Sequence, residues 1–437
     1  MTRTPTGPQL LRHGVAMGLL RAAAHLPRRR AQGSGPPKVH LLLLNAWGMG
    51  GTIRATLDLA GRLAEHHDVE VISLLRRRER PFFAFPPGVT VTALDDRRPG
   101  APPRGGLARR LLASRPSHLM HPADRRAATC SLWTDLVLAR RLLALGDGGV
   151  LIATRPGLNL VGAAVARPGL PTVGQEHMHR TAHATQLQRA MTRWYPRLDA
   201  VVTLTERDRA AHAAALGDPA AVVCIPNAGP PVAEPPAQLS EPVIVAAGRL
   251  TAQKAFGRLV RAFAIVAEHH PGWTLRIYGE GPQRPALERM IRDRGLTGRV
   301  QLMGRTRDLH GVLAGASVLA LSSRFEGMPL VILEAFAAGV PVVSFDCPTG
   351  PGELIENGSE GLLVPDGDVR ALGAALRLLA GDEPQRRRMG RAARVRAARQ
   401  GPAAVTERWE ALLRRLAPAR PAERPAPRRV PSGAPAR

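Results

Sequence analysis

Residues 317–334 read Ser317-Val318-Leu319-Ala320-Leu321-Ser322-Ser323-Arg324-Phe325-Glu326-Gly327-Met328-Pro329-Leu330-Val331-Ile332-Leu333-Glu334. The first part is a short apolar run bounded by serines, the pattern of a buried parallel strand near 317–322. The second part is apolar, and Pro329 suits a first helical position, so a helix is expected near 329–338. A strand turning into a helix leaves N–H groups around Met328, Leu330 and Val331 unpaired. The helix dipole adds to their pull on an anion. Glu334 leans back toward the helix start and can reach groups beside that anion, where the two hydroxyls of a ribose would suit it. Glu326, in the loop before the helix, faces the opposite end of the same ligand.

Outward from this stretch, short apolar runs alternate with helical patterns, which predicts βαβ units and parallel sheets. Strands are expected near 39–44, 69–75, 89–94, 150–154, 171–175, 200–205 and 221–225. After a Pro- and Ala-rich linker they resume near 243–247, 274–278, 300–303, 317–322, 341–345 and 361–364. Helices are expected near 255–269, 283–294, 329–338 and 368–380. The class is α/β with two Rossmann-like domains. The expected division is a flexible basic leader (1–37), with an amphipathic helix on a membrane surface as the alternative over Leu10–Leu26, a first domain (38–228), a linker (229–242), a second domain (243–395), a helix returning toward the first domain (396–416) and a disordered tail (417–437).

In open α/β sheets, ligands sit at the carboxyl ends of strands, where Gly-rich turns lead into helices. Three further turns qualify. In Asn45-Ala46-Trp47-Gly48-Met49-Gly50-Gly51-Thr52, the paired glycines let backbone approach a phosphate or sugar, or simply make a tight turn. In Gly248-Arg249-Leu250-Thr251-Ala252-Gln253-Lys254-Ala255, Arg249 offers a fork for two oxygens and Lys254 a compact charge, a pairing suited to a diphosphate. Of 61 basic residues only Lys38 and Lys254 are lysines, so a lysine at this turn carries weight that another arginine would not. In Tyr278-Gly279-Glu280-Gly281-Pro282, two glycines imply a crowded turn beneath a flat ligand or against other backbone.

Composition bounds the rest. The chain of 437 residues is 44% hydrophobic and only 3% aromatic, so its cores rest on Leu, Val, Ile and Ala. No apolar run is long enough to span a membrane. Cys130, Cys224 and Cys347 are scattered without metal-ligand spacing, which fits a reducing cytoplasm. The net charge of +26 concentrates in residues 1–37, 76–128 and 417–437. Such segments attract phospholipid head groups, phosphate polymers or nucleic acid, although a GC-rich genome also favours arginine.

Glu326-x7-Glu334, preceded by Gly248-Arg249-Leu250-x3-Lys254 and Tyr278-Gly279-Glu280-Gly281-Pro282, resembles the retaining family-4 glycosyltransferases. The likeness spans 243–395 and extends more loosely into the first half through Gly50-Gly51 and Gln175-Glu176-His177. It implies a GT-B fold, with two Rossmann-like domains facing each other across a donor/acceptor cleft and no metal required. By the same resemblance, Arg249 and Lys254 hold a donor diphosphate, Glu334 the ribose and Glu326 the hydroxyls of the sugar. His177 meets the transferred sugar, Gly50 and Gly51 approach from the other domain, and backbone at Met303-Gly304 meets the base. Met328, Pro329, Leu330 and Val331 complete the donor site.

The expected reaction moves a hexosyl or N-acetylhexosaminyl group, with retention, from a nucleotide sugar (UDP by default) to a cell-envelope, polysaccharide or lipid-linked acceptor. The enzyme is expected in the cytoplasm, with peripheral contact at an anionic inner membrane surface; nucleic acid is not an expected partner. The rival readings are a sugar-nucleotide epimerase, an inverting GT-B enzyme, and a catalytically dead GT-B protein that binds membrane or nucleic acid. Two positions depart from the family pattern: Ala255 stands where Gly is frequent, and Asp346-Cys347-Pro348-Thr349-Gly350 replaces a frequent Gly-Gly pair. The second departure resembles enzymes that decorate wall polymers and exopolysaccharides.

Overall fold

The computed structural model describes residues 4–26, 38–101, 105–218 and 221–416. The expected tail at 417–437 lies outside these. The first sheet holds β1 (Val39–Leu43), β2 (Val69–Arg76), β3 (Val89–Asp96), β4 (Val150–Ala153), β5 (Thr172–Gln175), β6 (Ala200–Thr203) and β7 (Val222–Cys224). The second holds β8 (Val243–Ala247), β9 (Thr274–Tyr278), β10 (Val300–Gly304), β11 (Val318–Leu321), β12 (Val342–Phe345) and β13 (Gly361–Val364). All pairings are parallel, in the orders β3-β2-β1-β4-β5-β6-β7 and β10-β9-β8-β11-β12-β13. Every strand expected from the sequence is present, with ends displaced by no more than two residues.

The central strands are apolar because both faces are covered. All five residues of β1 are buried, as are the four of β4 and of β11. Strand order reverses between β1 and β4 in one sheet and between β8 and β11 in the other. A crevice opens outside the carboxyl ends of such strand pairs. The turns after β1, β8 and β11 are the Gly50-Gly51, Arg249–Lys254 and Glu326 turns.

The helix after β11 runs Leu330–Ala338, with Pro329 as its cap instead of its first residue and Gly339, at φ 76°, closing it in the left-handed region. Seven of its nine residues are buried, and it packs on the helix Glu383–Arg399. The returning helix expected at 396–416 is divided: the helix Glu383–Arg399 runs into its start, the chain breaks at Gln400-Gly401, and Pro402 starts a second helix, Pro402–Leu416. That helix puts Val405, Trp409, Leu412 and Leu413 into the core around β1 and β2, and Glu410 meets His67 at 2.9 Å.

The leader corrects an expectation. Within 1–37, Gly7–Ala24 form a helix rather than a flexible arm. His13, Met17, Leu20 and Ala24 recur at helical spacing and are buried, and Met17, Leu20 and Ala24 join the first-sheet core. Residues 27–37 lie outside the described residues. No helix of the described residues is long and apolar enough to cross a membrane.

Candidate active site

The turns after β8 and β11 are joined by their own backbone and side chains. Arg324 N–H donates to Gln253 O at 2.8 Å, Gln253 Nε2 to Phe325 O at 3.1 Å, and Ser322 Oγ to Lys254 O at 2.9 Å. This seam brings Lys254 Nζ within 2.6 Å of Glu326 Oε1, which also accepts from Ser323 Oγ at 2.5 Å. The Lys254 and Glu326 side chains are only 17% and 8% exposed, so the pair is largely removed from water. From the sequence these two residues have separate duties; the structure couples them. An ammonium has three protons, and one spent on Glu326 leaves two for a further oxygen.

Arg249, in the same turn, is exposed and makes no ion pair with any described residue. Ala255 ends the turn at φ 48°, ψ 39°, in the left-handed region, which accounts for the frequent Gly there in the resembled family. The Tyr278–Pro282 glycines are explained by backbone packing. A Cβ on Gly279 would strike Gly248 O, and one on Gly281 would strike the Leu250 backbone. Gly279 N–H donates to Gly304 O at 2.6 Å, so the ends of β9 and β10 close beside the β8 turn. Met303, at that end, is 44% exposed.

The N–H groups of Leu330 and Val331 bond to no described group outside their helix. Met328 O accepts from Asn227 Nδ2 at 3.4 Å, which ties the helix start to the chain leaving β7. Glu334 does point toward the first domain, where it meets Arg54 Nη1 at 2.5 Å. Burial lifts its carboxyl above the usual carboxylate range, with Asp58 adding to the effect and Arg54 opposing it.

Across the cleft, Gly50 caps the helix Gly51–Leu63 at φ 152°, and a Cβ on Gly51 would lie 3.8 Å from Leu330 Cδ1. His177 follows β5. Burial pushes its imidazole down to about 4, and its Nε2 has no partner among the described residues. Neighbouring Glu176 is buried against Asn159, Tyr195 and His183; burial opposes its ionisation, but the His183 contact, His212 and the Tyr195 hydroxyl hold its pKa below the usual value. Gly327 touches this loop so closely that a Cβ would collide with the His177 carbonyl. The domains meet again where Arg125 lies over the Phe325 ring, 5.6 Å from its centroid. Glu353 further accepts from Glu206 and Arg207 N–H at 2.7 and 2.9 Å.

Direct contacts bring some of the expected site residues together in three groups: Lys254 with Glu326, Leu330 and Glu334 with Gly51 and Arg54, and His177 with Gly327; Arg249, Met303 and Gly304 lie at the neighbouring ends of β8 and β10 without joining them. The sequence marks the basic stretch 76–128 as a whole but neither Arg54 nor, within that stretch, Arg126 individually, and gives Phe325 no role. Burial, together with Arg155, Arg249 and Arg77, pushes the Arg126 guanidinium below its usual range, and Asp124 opposes them.

Residues 241–382 match the glycosyl transferases group 1 family. The chain has the GT-B fold and is related to the group 1 glycosyltransferases. Over 399 residues it is 38% identical to an exopolysaccharide phosphotransferase, SCO2592, of Streptomyces coelicolor, covering 88% of this chain and 42% of that one. The chain thus spans less than half the length of this curated relative. Among solved structures it is similar to a sucrose-phosphate synthase from Thermosynechococcus elongatus (TM-score 0.68, 19% identity, covering 87% of this chain and 99% of that one). It is also similar to Anabaena HepE in complex with UDP-glucose (TM-score 0.65, 19% identity, covering 86% and 99%). At these identities the structural matches establish the shared fold.

Proposed function

We propose that this GT-B protein is a retaining glycosyltransferase that moves a hexosyl or N-acetylhexosaminyl group from a UDP-linked donor to a polysaccharide, cell-envelope or lipid-linked acceptor. The observation that carries this reading is the Lys254–Glu326 pair, beside Arg249 and the unpaired helix start at Leu330-Val331, facing Gly50-Gly51 and His177. Breaking the bond from anomeric carbon to diphosphate builds negative charge on the leaving phosphate. Arg249, the remaining protons of Lys254 and the helix start stabilise that charge. The HepE structure, which holds UDP-glucose, supports a donor of this chemistry.

Glu326 accepts two hydrogen bonds on one oxygen, from Lys254 and Ser323, which quiets it as a nucleophile and suits it to holding sugar hydroxyls. Retention then proceeds by front-face attack, with the leaving phosphate taking the acceptor's proton. His177, neutral near pH 7 because of its burial, serves as a hydrogen-bonding group and not as a charged acid. Glu334 releases Arg54 to engage the ribose, or holds the ribose with Arg54 still attached. The phosphotransferase name of the Streptomyces relative is not carried over, since more than half of that protein has no counterpart in this chain.

The test is incubation with UDP-sugars without acceptor, following UDP release and the anomer of the freed sugar. Slow release of the α-anomer, unchanged by a chelator, is expected for an α-linked donor. Absence of UDP release from every UDP-hexose, or release of the β-anomer, would overturn the reading.

A further inference from the structure

The first-domain wall of the cleft carries more positive charge than its own carboxylates can balance. Asp124 is 5% exposed and already saturated: it accepts from Arg155 Nη2, from Arg126 N–H at 2.8 Å and from Gly157 N–H at 3.1 Å. The side chains of Arg77 and Arg126 have no hydrogen-bond or ion-pair partner among the described residues, and Arg155 Nε is buried without one. The strap 124–127 is fixed in place by Ala127 N–H on Asp124 O at 2.9 Å and by Arg125, which donates to Ala182 O at 3.0 Å while covering Phe325. Arg126 is thus held beside the loop that carries Glu326, near Arg249 of the facing domain.

We infer that Arg126 and Arg155, joined through Asp124, form a second phosphate site on the acceptor side of the cleft, which reads a phosphate carried by the acceptor. The inference rests on the donor site proposed above. The donor diphosphate occupies Arg249 and Lys254 on the second domain, and a separate anion is needed to offset the guanidinium groups opposite. Arginine forks suit phosphate oxygens, and a site fixed by its own backbone loses little freedom on binding. An acceptor bearing a phosphate within a few bonds of its attacking hydroxyl, such as a polyol-phosphate chain or a lipid phosphate, has this chemistry.

Calorimetry on the full-length protein separates the two phosphate sources. Wild type and an Arg126→Gln variant, of matched thermal midpoint, are titrated with UDP, and then, saturated with UDP, with glycerol 3-phosphate. The expected result is glycerol phosphate binding that weakens about tenfold or more in the variant while UDP affinity holds. Loss of UDP affinity with unchanged glycerol phosphate binding would assign Arg126 to the donor and overturn the inference. So would failure of UDP-saturated wild type to bind glycerol phosphate. Failure of wild type to bind UDP at all would instead strike the donor reading beneath it.

A different observation concerns the outer surface. Among the described residues, ten large apolar side chains are exposed, and six of them, Leu11, Val15, Leu19, Leu107, Leu111 and Leu136, lie on three helices. Leu11, Val15 and Leu19, at 70%, 55% and 67% exposure, form the outer stripe of the helix Gly7–Ala24, opposite its buried stripe. The helix Gly106–Ala113 buries no residue. Both pack on the helix Leu132–Leu143, which exposes Leu136. Residues 1–37 carry six arginines and no acid, and residues 104–123 are likewise free of acid.

Apolar stripes carried on segments that hold arginines and no acid are complementary to an anionic bilayer. The geometry points to the face they form as a membrane-docking surface. In co-sedimentation, the full chain is expected to pellet with vesicles of phosphatidylglycerol and phosphatidylcholine and to stay in solution with phosphatidylcholine alone. A Leu11→Gln/Val15→Gln/Leu19→Gln variant, with UDP affinity intact, should remain in solution with both. Equal pelleting of variant and wild type would overturn the assignment. So would a wild-type dimer that the variant converts to monomer, since a second copy would then cover the face.

Discussion

Ala255 and Lys254 are adjacent in the chain and test opposite features of the turn after β8. Ala255 holds a left-handed backbone at φ 48°, where an L side chain is strained by about 1–2 kcal/mol. Glycine removes that strain but adds freedom to the unfolded chain, so Ala255→Gly should stabilise the protein by about 0.5–1 kcal/mol in a urea titration. A loss of stability would mean that the turn is not strained. Lys254→Ala leaves Glu326 buried beside Ser323 without its cation and should cost about 3 kcal/mol or more. Lys254→Met with Glu326→Leu should cost less than either charged remnant, because no isolated charge stays buried. A double variant as unstable as the sum of its singles would show that the two residues do not interact. Sequence spacing located both residues, but not their contact, because only the seam between two turns 72 positions apart makes it. Arg54 was not legible, and Arg126 only as part of the basic stretch 76–128, for a compositional reason. Where all but two of 61 basic residues are arginine, one more carries no signal until the fold gives it neighbours.

At the scale of elements, the decisive contact is between loops. Gly327 carries no side chain because the His177 carbonyl occupies the space. Gly327→Ala should push the β5 and β11 loops apart, displacing His177 and Glu326 together. The expected outcome is a severe fall in donor turnover with a small change in thermal midpoint, measured on UDP release; normal turnover would mean that this approach is not needed. Short apolar runs made the strands legible: the central strands bury both faces, and the edge strands β3 and β10, only partly buried, keep enough apolar residues to show. The helix Gly7–Ala24 escaped because its inner and outer stripes are both apolar, which blurs the amphipathic pattern that marks a docked helix. The break at Gln400-Gly401 is written in Gly401-Pro402, which ends one helix and starts the next, but the strong helix formers on both sides masked it. The return of Trp409 to the first-sheet core uses the bend made there.

Over the whole molecule, buried histidines set the response to acid. Burial pushes His121, His177 and His212 down to about 4 from an ordinary 6.5. As pH falls below 6.5 the unfolded chain takes up protons that the folded chain refuses, so this part of the stability is lost progressively toward pH 4. Asp208, lifted by burial to about 7, has the opposite sign: folded, it holds a proton that the unfolded chain releases, which adds stability as pH falls from 7 toward 3.8. His13 and His179, also lowered by burial, act with these three histidines, as do Glu70 and Glu176, whose ionisation burial opposes but whose partners hold them low. Asp58, Asp135 and Glu334 act with Asp208. The larger first set dominates, and the thermal midpoint should fall between pH 6.5 and 4.5. A flat or rising profile would show that these imidazoles are hydrated or paired when folded.

The central claim is that the crevice between the two sheets binds a nucleotide diphosphate on the Arg249 side. Arg249 is exposed and unpaired, so Arg249→Gln should leave folding unchanged and any loss can be read as binding. Calorimetric titration of wild type and Arg249→Gln with UDP tests this most directly. The account predicts saturable one-to-one binding by wild type and affinity about tenfold or more weaker in the variant, at equal thermal midpoint. Equal UDP affinity in the two proteins, or no UDP binding by wild type, would contradict it.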